Sequence, residues 1–145
     1  MYKFLILLHI ITSSVFIVVA IVITVRSIAG WSKNLKYSKA DKYLRYLFLI
    51  LLYLTLVHGI IMYFFIDPSN KTAVDVQLAI KQASLRFWVV EHFYVMTFAL
   101  ILAQIGGIFI CKTTTDKNRF AYTSFYYGIA TLITLASVTF YFIYR

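Results

Sequence analysis

Polar residues withdraw from the chain over four long stretches: Phe4 to Val25, Tyr46 to Ile66, Phe87 to Cys111 and Phe120 to Tyr144. None of them contains an interior Lys, Arg or Pro, and their apolar residues do not alternate with the period of two expected of a half-buried strand. About 20 residues at a rise of ~1.5 Å cross a hydrocarbon core of ~30 Å, so each stretch is long enough to span a bilayer. Lipid accommodates helices and closed barrels only, because backbone polar groups find no water there. The pattern predicts an all-α integral membrane four-helix bundle, with helices at about 4–26, 44–66, 86–111 and 120–144. The first stretch is too long for the core of a cleaved signal peptide and no clear small-residue cleavage site follows it, so it is expected to remain.

Between the stretches lie a basic segment (Arg26 to Arg45), a middle segment (Asp67 to Arg86) and a short turn (Lys112 to Arg119). They leave no room for a soluble domain, so residues 1–145 form a single transmembrane domain with no internal repeat. In the middle segment, Asp67-Pro68-Ser69-Asn70 reads as a turn that ends the second helix. Val74, Leu78 and Leu85 are spaced for a short helix lying on the membrane surface, as a connector or as a lid.

Charge supplies an orientation. The first connection carries six basic residues (Arg26, Lys33, Lys36, Lys39, Lys42, Arg45) and the third carries three (Lys112, Lys117, Arg119), against five (Lys3, Lys71, Lys81, Arg86, Arg145) at the other end. The excess of basic residues on inner loops places the first and third connections in the cytoplasm and both termini on the outer, periplasmic side. The net charge of +9 is then a topology and lipid-headgroup signal; with no long basic patch or motif beside it, a nucleic-acid partner is not expected. Aromatics near the helix ends, among them Trp31, Tyr37, Tyr43, Tyr46, Phe120 and Tyr122, read as interfacial belts.

With the spans oriented, the three histidines fall into one layer. His9, His58 and His92 lie ~8, ~12 and ~8 Å from the outer ends of helices 1, 2 and 3. Strongly polar side chains at such depth are costly and mark a cofactor, an ion path or a paired interior group, and imidazole is a common ligand of haem iron. A histidine one or two turns from the interface also satisfies itself with a backbone carbonyl, a tyrosine hydroxyl or water. HxxxH and HExxH spacings are absent and Cys111 is the one cysteine, so neither a zinc cluster nor an iron–sulfur centre is indicated. A three-helix metal site and a haem held by two axial imidazoles from different helices both remain open, the haem being the better geometric match. Glu91, directly before His92, is the one acidic residue inside an apolar stretch. Its carboxylate needs His9, His58, Arg86, a proton or water as partner. Arg86 is placed either to hold a haem propionate or to act as a solvated interfacial anchor. Ala103 with Gly107, and Ser124 with Gly128, form small-xxx-small pairs for close helix approach, and Thr131, Thr134 and Ser137 form a mild polar stripe for packing on the fourth helix.

The run Leu85 to Phe93, LRFWVVEHF, resembles the LRFFAVEHP signature of small four-helix membrane b-type cytochromes of Bacteroidetes. Leu7-Leu8-His9 is similar to that family's opening LLHxH. Gly30-Trp31 with Tyr37-Ser38-Lys39-Ala40-Asp41-Lys42 is similar to its first loop, and Phe125-Tyr126-Tyr127-Gly128-Ile129-Ala130 to the start of its last helix. The departures are specific. Ile11 replaces a second histidine, Tyr53 stands where a histidine precedes Gly59, Phe93 replaces a proline, and Lys117-Asn118-Arg119 replaces a KHK run. His58 is displaced five residues from the expected histidine, ~140° around the helix.

The resemblance implies a haem b whose iron is held by His9 and His92, with His58 as substitute, in the inner membrane of a bacterium. Such a protein carries electrons between quinol and an outer-face acceptor and is not itself an enzyme. A second reading makes the chain a cofactor-free accessory subunit of a larger membrane complex, respiratory or secretory, that has lost a relative's ligands.

Overall fold

The structure, a computed structural model, describes residues 2–65 and 90–143. Their regular structure is all helical, without strands: α1 (Tyr2–Ser32), α2 (Lys39–Phe65), α3 (His92–Lys112), α4 (Asp116–Tyr122) and α5 (Gly128–Ile143), with a π-helical turn, Thr123–Tyr127, joining α4 to α5 into one continuous rod. Four helices are long and apolar enough to cross a membrane: Phe4–Ser32, Lys39–Met62, His92–Lys112 and Asp116–Phe140. The turn at Asp67 to Asn70, the surface helix expected around Val74 to Leu85, Arg86 and the start of the third helix lie outside the described residues.

The helices extend further at the basic end than the apolar stretches suggested, and the connections shrink accordingly. α1 continues past Arg26 to Ser32 and closes in a Schellman arrangement. Asn34 there adopts φ 50°, the Leu35 N–H donates to the Gly30 carbonyl at 2.9 Å, and the Asn34 N–H donates to that of Trp31 at 3.5 Å. α2 begins at Lys39, earlier than expected, because Ser38 and Asp41 cap it reciprocally. The Asp41 N–H donates to Ser38 Oγ at 3.3 Å, while the Ser38 N–H and hydroxyl donate to Asp41 Oδ2 at 2.9 and 2.7 Å. Thr115 caps α4, its Oγ1 accepting from the Asn118 N–H at 3.4 Å. Asp41, expected in the connection, is therefore helical, while Arg26 and Arg45, expected at the helix ends, lie well inside α1 and α2.

α1 packs against α2 and against the α4–π–α5 rod, and α3 bridges α2 and that rod, closing a ring of four. Phe16 of α1, Phe48 of α2 and Tyr127 of the π turn meet at its centre, with ring centroids 5.0 Å (Phe16–Phe48) and 4.8 Å (Phe48–Tyr127) apart. Ala20, Leu52, Met96, Ala99, Ala103 and Ala130 fill the space around them.

Close approach falls at Gly106, outside the expected pairs: a Cβ there would stand 2.5 Å from Tyr126 Cβ, so α3 meets the rod where a side chain is missing, whereas one on Gly128 would stand 3.6 Å from Thr24 Cγ2, an ordinary contact. Phe120, expected in the interfacial belt, is buried over Gly30 with its ring 5.1 Å from that of Tyr37. The extension of α4 back to Asp116 carries Phe120 below the surface. Trp31, Tyr43 and Tyr46 are exposed, as belt residues are.

Candidate functional site: a histidine layer

Near the end of the bundle opposite the two short connections, three spans each contribute an imidazole: His9 on α1, His58 on α2 and His92 at the start of α3. A Cβ on Gly59 of α2 would stand 3.9 Å from His9 Cε1, an ordinary contact, so the His9 ring lies against the second helix. His9 also lies within electrostatic range of His58 and of His92. All three residues are half-buried, and the Nδ1 atoms of His9 and His58 are buried without a hydrogen-bond partner among the described residues. His92 Nδ1 lies 3.3 Å from Ser137 Oγ on α5.

The structure therefore brings His9 and His92 into one neighbourhood and adds His58 to it on the His9 side. Among the described residues, no group of three or more His, Cys, Asp or Glu side chains converges closely enough to hold a metal ion by itself. Tyr53 is 44% exposed, and its hydroxyl accepts from Gln104 Nε2 of α3 at 2.5 Å, so it belongs to an α2–α3 contact nearer the middle of the bundle. Glu91 precedes α3 in a π-helical turn with Val90 and lines a groove of about 300 Å³ with Val95, Ile133, Ala136, Ser137 and Phe140. Ser137 thus borders both the groove and the His92 ring. Arg86 lies outside the described residues.

Ser137 was legible only as part of a packing stripe. Thr131 and Thr134 do serve packing: Thr131 Oγ1 donates to the Tyr127 carbonyl at 2.7 Å and Thr134 Oγ1 to that of Ala130 at 2.9 Å, the usual way a hydroxyl is satisfied inside a helix. Ser137 instead reaches across to α3.

The basic end holds polar groups that the sequence presented as loop charges. Arg26 Nε and Nη2 donate to Asp41 Oδ1 and Oδ2 at 2.8 and 3.2 Å, a bidentate pair joining α1 to α2. Burial pushes the ionisation of the nearby Tyr37 hydroxyl up, with the charge of Arg45 acting in the opposite direction. Comparison with family models, with curated proteins and with solved structures gives no match.

Proposed function

We propose that the chain is a b-type cytochrome-like electron-transfer protein, or a subunit of that kind, of a bacterial inner membrane, with both termini outward. The observation that carries this reading is the imidazole layer, in which the buried His9 Nδ1 has no hydrogen-bond partner among the described residues and the His92 ring lies against Ser137. That donor set fits a haem. Imidazoles from two spans would hold its iron, and a metal-ligating histidine is ordinarily oriented by a hydrogen bond at its other ring nitrogen.

His9 and His92 would hold the iron, with His58 beside His9 as substitute and Arg86 as a candidate partner for a propionate. The porphyrin would supply one-electron chemistry, and the chain would supply ligation, orientation and exclusion of water. A lipid-soluble quinol is the proposed electron donor, since the Glu91–Ser137 groove beside the layer is walled mainly by apolar side chains.

A reduced-minus-oxidised visible spectrum of the purified protein tests this. An α band of b haem that is lost or converted in His92→Ala is expected. Absence of the band in the wild type sinks the proposal and leaves the cofactor-free accessory subunit of a larger membrane complex as the reading.

A further inference from the structure

One polar pair lies on the outer surface of the spans, away from both the histidine layer and the Arg26–Asp41 pair. Gln104 Nε2 of α3 donates to the exposed Tyr53 hydroxyl of α2. Gln104 stands eight residues before the end of α3 at Lys112, and Tyr53 stands eight residues after Arg45, ~12 Å along each axis. That depth is well inside a hydrocarbon core of ~30 Å. A primary amide offers two N–H donors and a carbonyl oxygen, and a phenol offers one O–H as well as its oxygen. The contact uses one N–H of the amide and the phenol oxygen. The second N–H, the amide oxygen and the phenol hydrogen have no partner among the described residues. Acyl chains provide none, so polar side chains at this depth ordinarily face the bundle interior or another protein segment.

The side chains around the pair form a face suited to helix packing. Ile101, Gln104, Ile105 and Ile108 follow the i, i+3, i+4, i+7 spacing of one side of α3, and the three isoleucines are exposed. Branched at Cβ, they hold few rotamers and lose little freedom when packed. Among the described residues, the α2–α3 seam is also the least extensive of the four that close the ring. Elsewhere the polar side chains of the spans turn inward, as Thr131 and Thr134 do, whereas this seam presents its amide outside.

We propose that this face binds a second copy of the chain, in a parallel two-fold dimer held by paired Gln104 amides. The occupant follows from the chemistry of the amide. A primary amide is self-complementary: two of them related by a two-fold axis exchange a pair of N–H···O=C bonds. Each side uses the amide oxygen and the N–H that Tyr53 leaves over. Two copies inserted with the same orientation are related by an axis along the membrane normal, so each Gln104 meets its mate at the same depth. A partner of another kind would have to carry a matching polar group at that depth, and a second copy carries it necessarily. The isoleucines pack around the amides, as apolar side chains do around the single polar residue that fixes the register of a coiled coil.

Sedimentation equilibrium of the purified full chain in density-matched detergent, over a range of protein-to-detergent ratios, tests this. A reversible monomer–dimer equilibrium is expected. Gln104→Leu, which removes both reciprocal bonds and suits lipid, weakens it by about tenfold while the helical circular dichroism is retained. Cross-linking in membranes gives a second measurement that leaves the amide in place. In a Cys111→Ser background, Ile101→Cys and Ile108→Cys, one turn to either side of Gln104, form disulfide-linked dimers on mild oxidation, while Leu132→Cys, also exposed but on α5, does not. A wild-type chain that stays single at every ratio overturns the proposal and leaves the face to lipid or to a chain of another kind. Absence of cross-links at both α3 positions overturns it as well. A dimer undiminished in folded Gln104→Leu, or one cross-linked through Leu132→Cys in place of the α3 positions, also overturns it, since the copies then meet elsewhere.

Discussion

Ser137 Oγ on α5 lies 3.3 Å from His92 Nδ1 at the start of α3, so one hydroxyl links the fourth span to an imidazole proposed as a haem ligand. Hydrogen bonds to the second ring nitrogen of a ligating histidine fix its orientation, and losing them costs about 10-fold or more in affinity. Under the proposed haem reading, Ser137→Ala is therefore expected to lower haem retention by about tenfold, read as haem per chain after dilution and re-isolation. Retention equal to the wild type would remove Ser137 from the support of the site. The unliganded protein should lose about 1 kcal/mol of stability, the usual worth of one such bond.

The four spans were legible because burial in lipid demands long apolar runs, whatever the side chains do inside the bundle. Their ends at the basic side were not. Arg26 and Arg45 stand at the ends of the expected helices with Asp41 in the connection between them, and the 2.8 Å Arg26–Asp41 contact that joins the two helices is not visible in a linear sequence. The histidine layer could be counted from helix ends, but which rings approach one another depends on helix rotation, which depth does not give. The π turn at Thr123–Tyr127 has no recognised sequence signal, so the inward aim of Tyr127 was hidden too.

The Arg26–Asp41 pair should contribute measurably to folding. Asp41 is 6% exposed and Arg26 39%, so the loss on breaking the pair lies below the roughly 3–5 kcal/mol of a fully buried one. Arg26→Met is expected to destabilise the protein by about 1–3 kcal/mol. Asp41→Asn should cost at least as much, because it also weakens the Ser38 cap. A double-mutant cycle by reversible unfolding in detergent checks the coupling; additive losses would show that the contact itself carries no energy.

Close approach at Gly106 gives a sharper contrast. A methyl group there would meet Tyr126 Cβ at 2.5 Å and Cγ at 2.9 Å, on the ring that stacks on Phe109 at 5.6 Å. Gly106→Ala is expected to destabilise by about 1–3 kcal/mol through overpacking. At Gly59 the nearest neighbour is 3.9 Å away, so Gly59→Ala should be neutral or slightly stabilising. Equal melting temperatures for the two variants would contradict the packing described for α3.

Cys111 provides the test of orientation. It is the single cysteine of the chain and is exposed near the end of α3, at the same end as the Arg26–Asp41 pair. The proposed orientation, read from the excess of basic residues at that end, puts it in the cytoplasm. A membrane-impermeant maleimide should therefore label Cys111 in inside-out vesicles and leave it unlabelled in intact spheroplasts, with labelling in detergent as the reference for reactivity. Labelling from the outside would invert the bundle and move the histidine layer to the cytoplasmic half. A haem there would exchange electrons with partners on the cytoplasmic face, so the orientation decides which side of the membrane the proposed carrier serves.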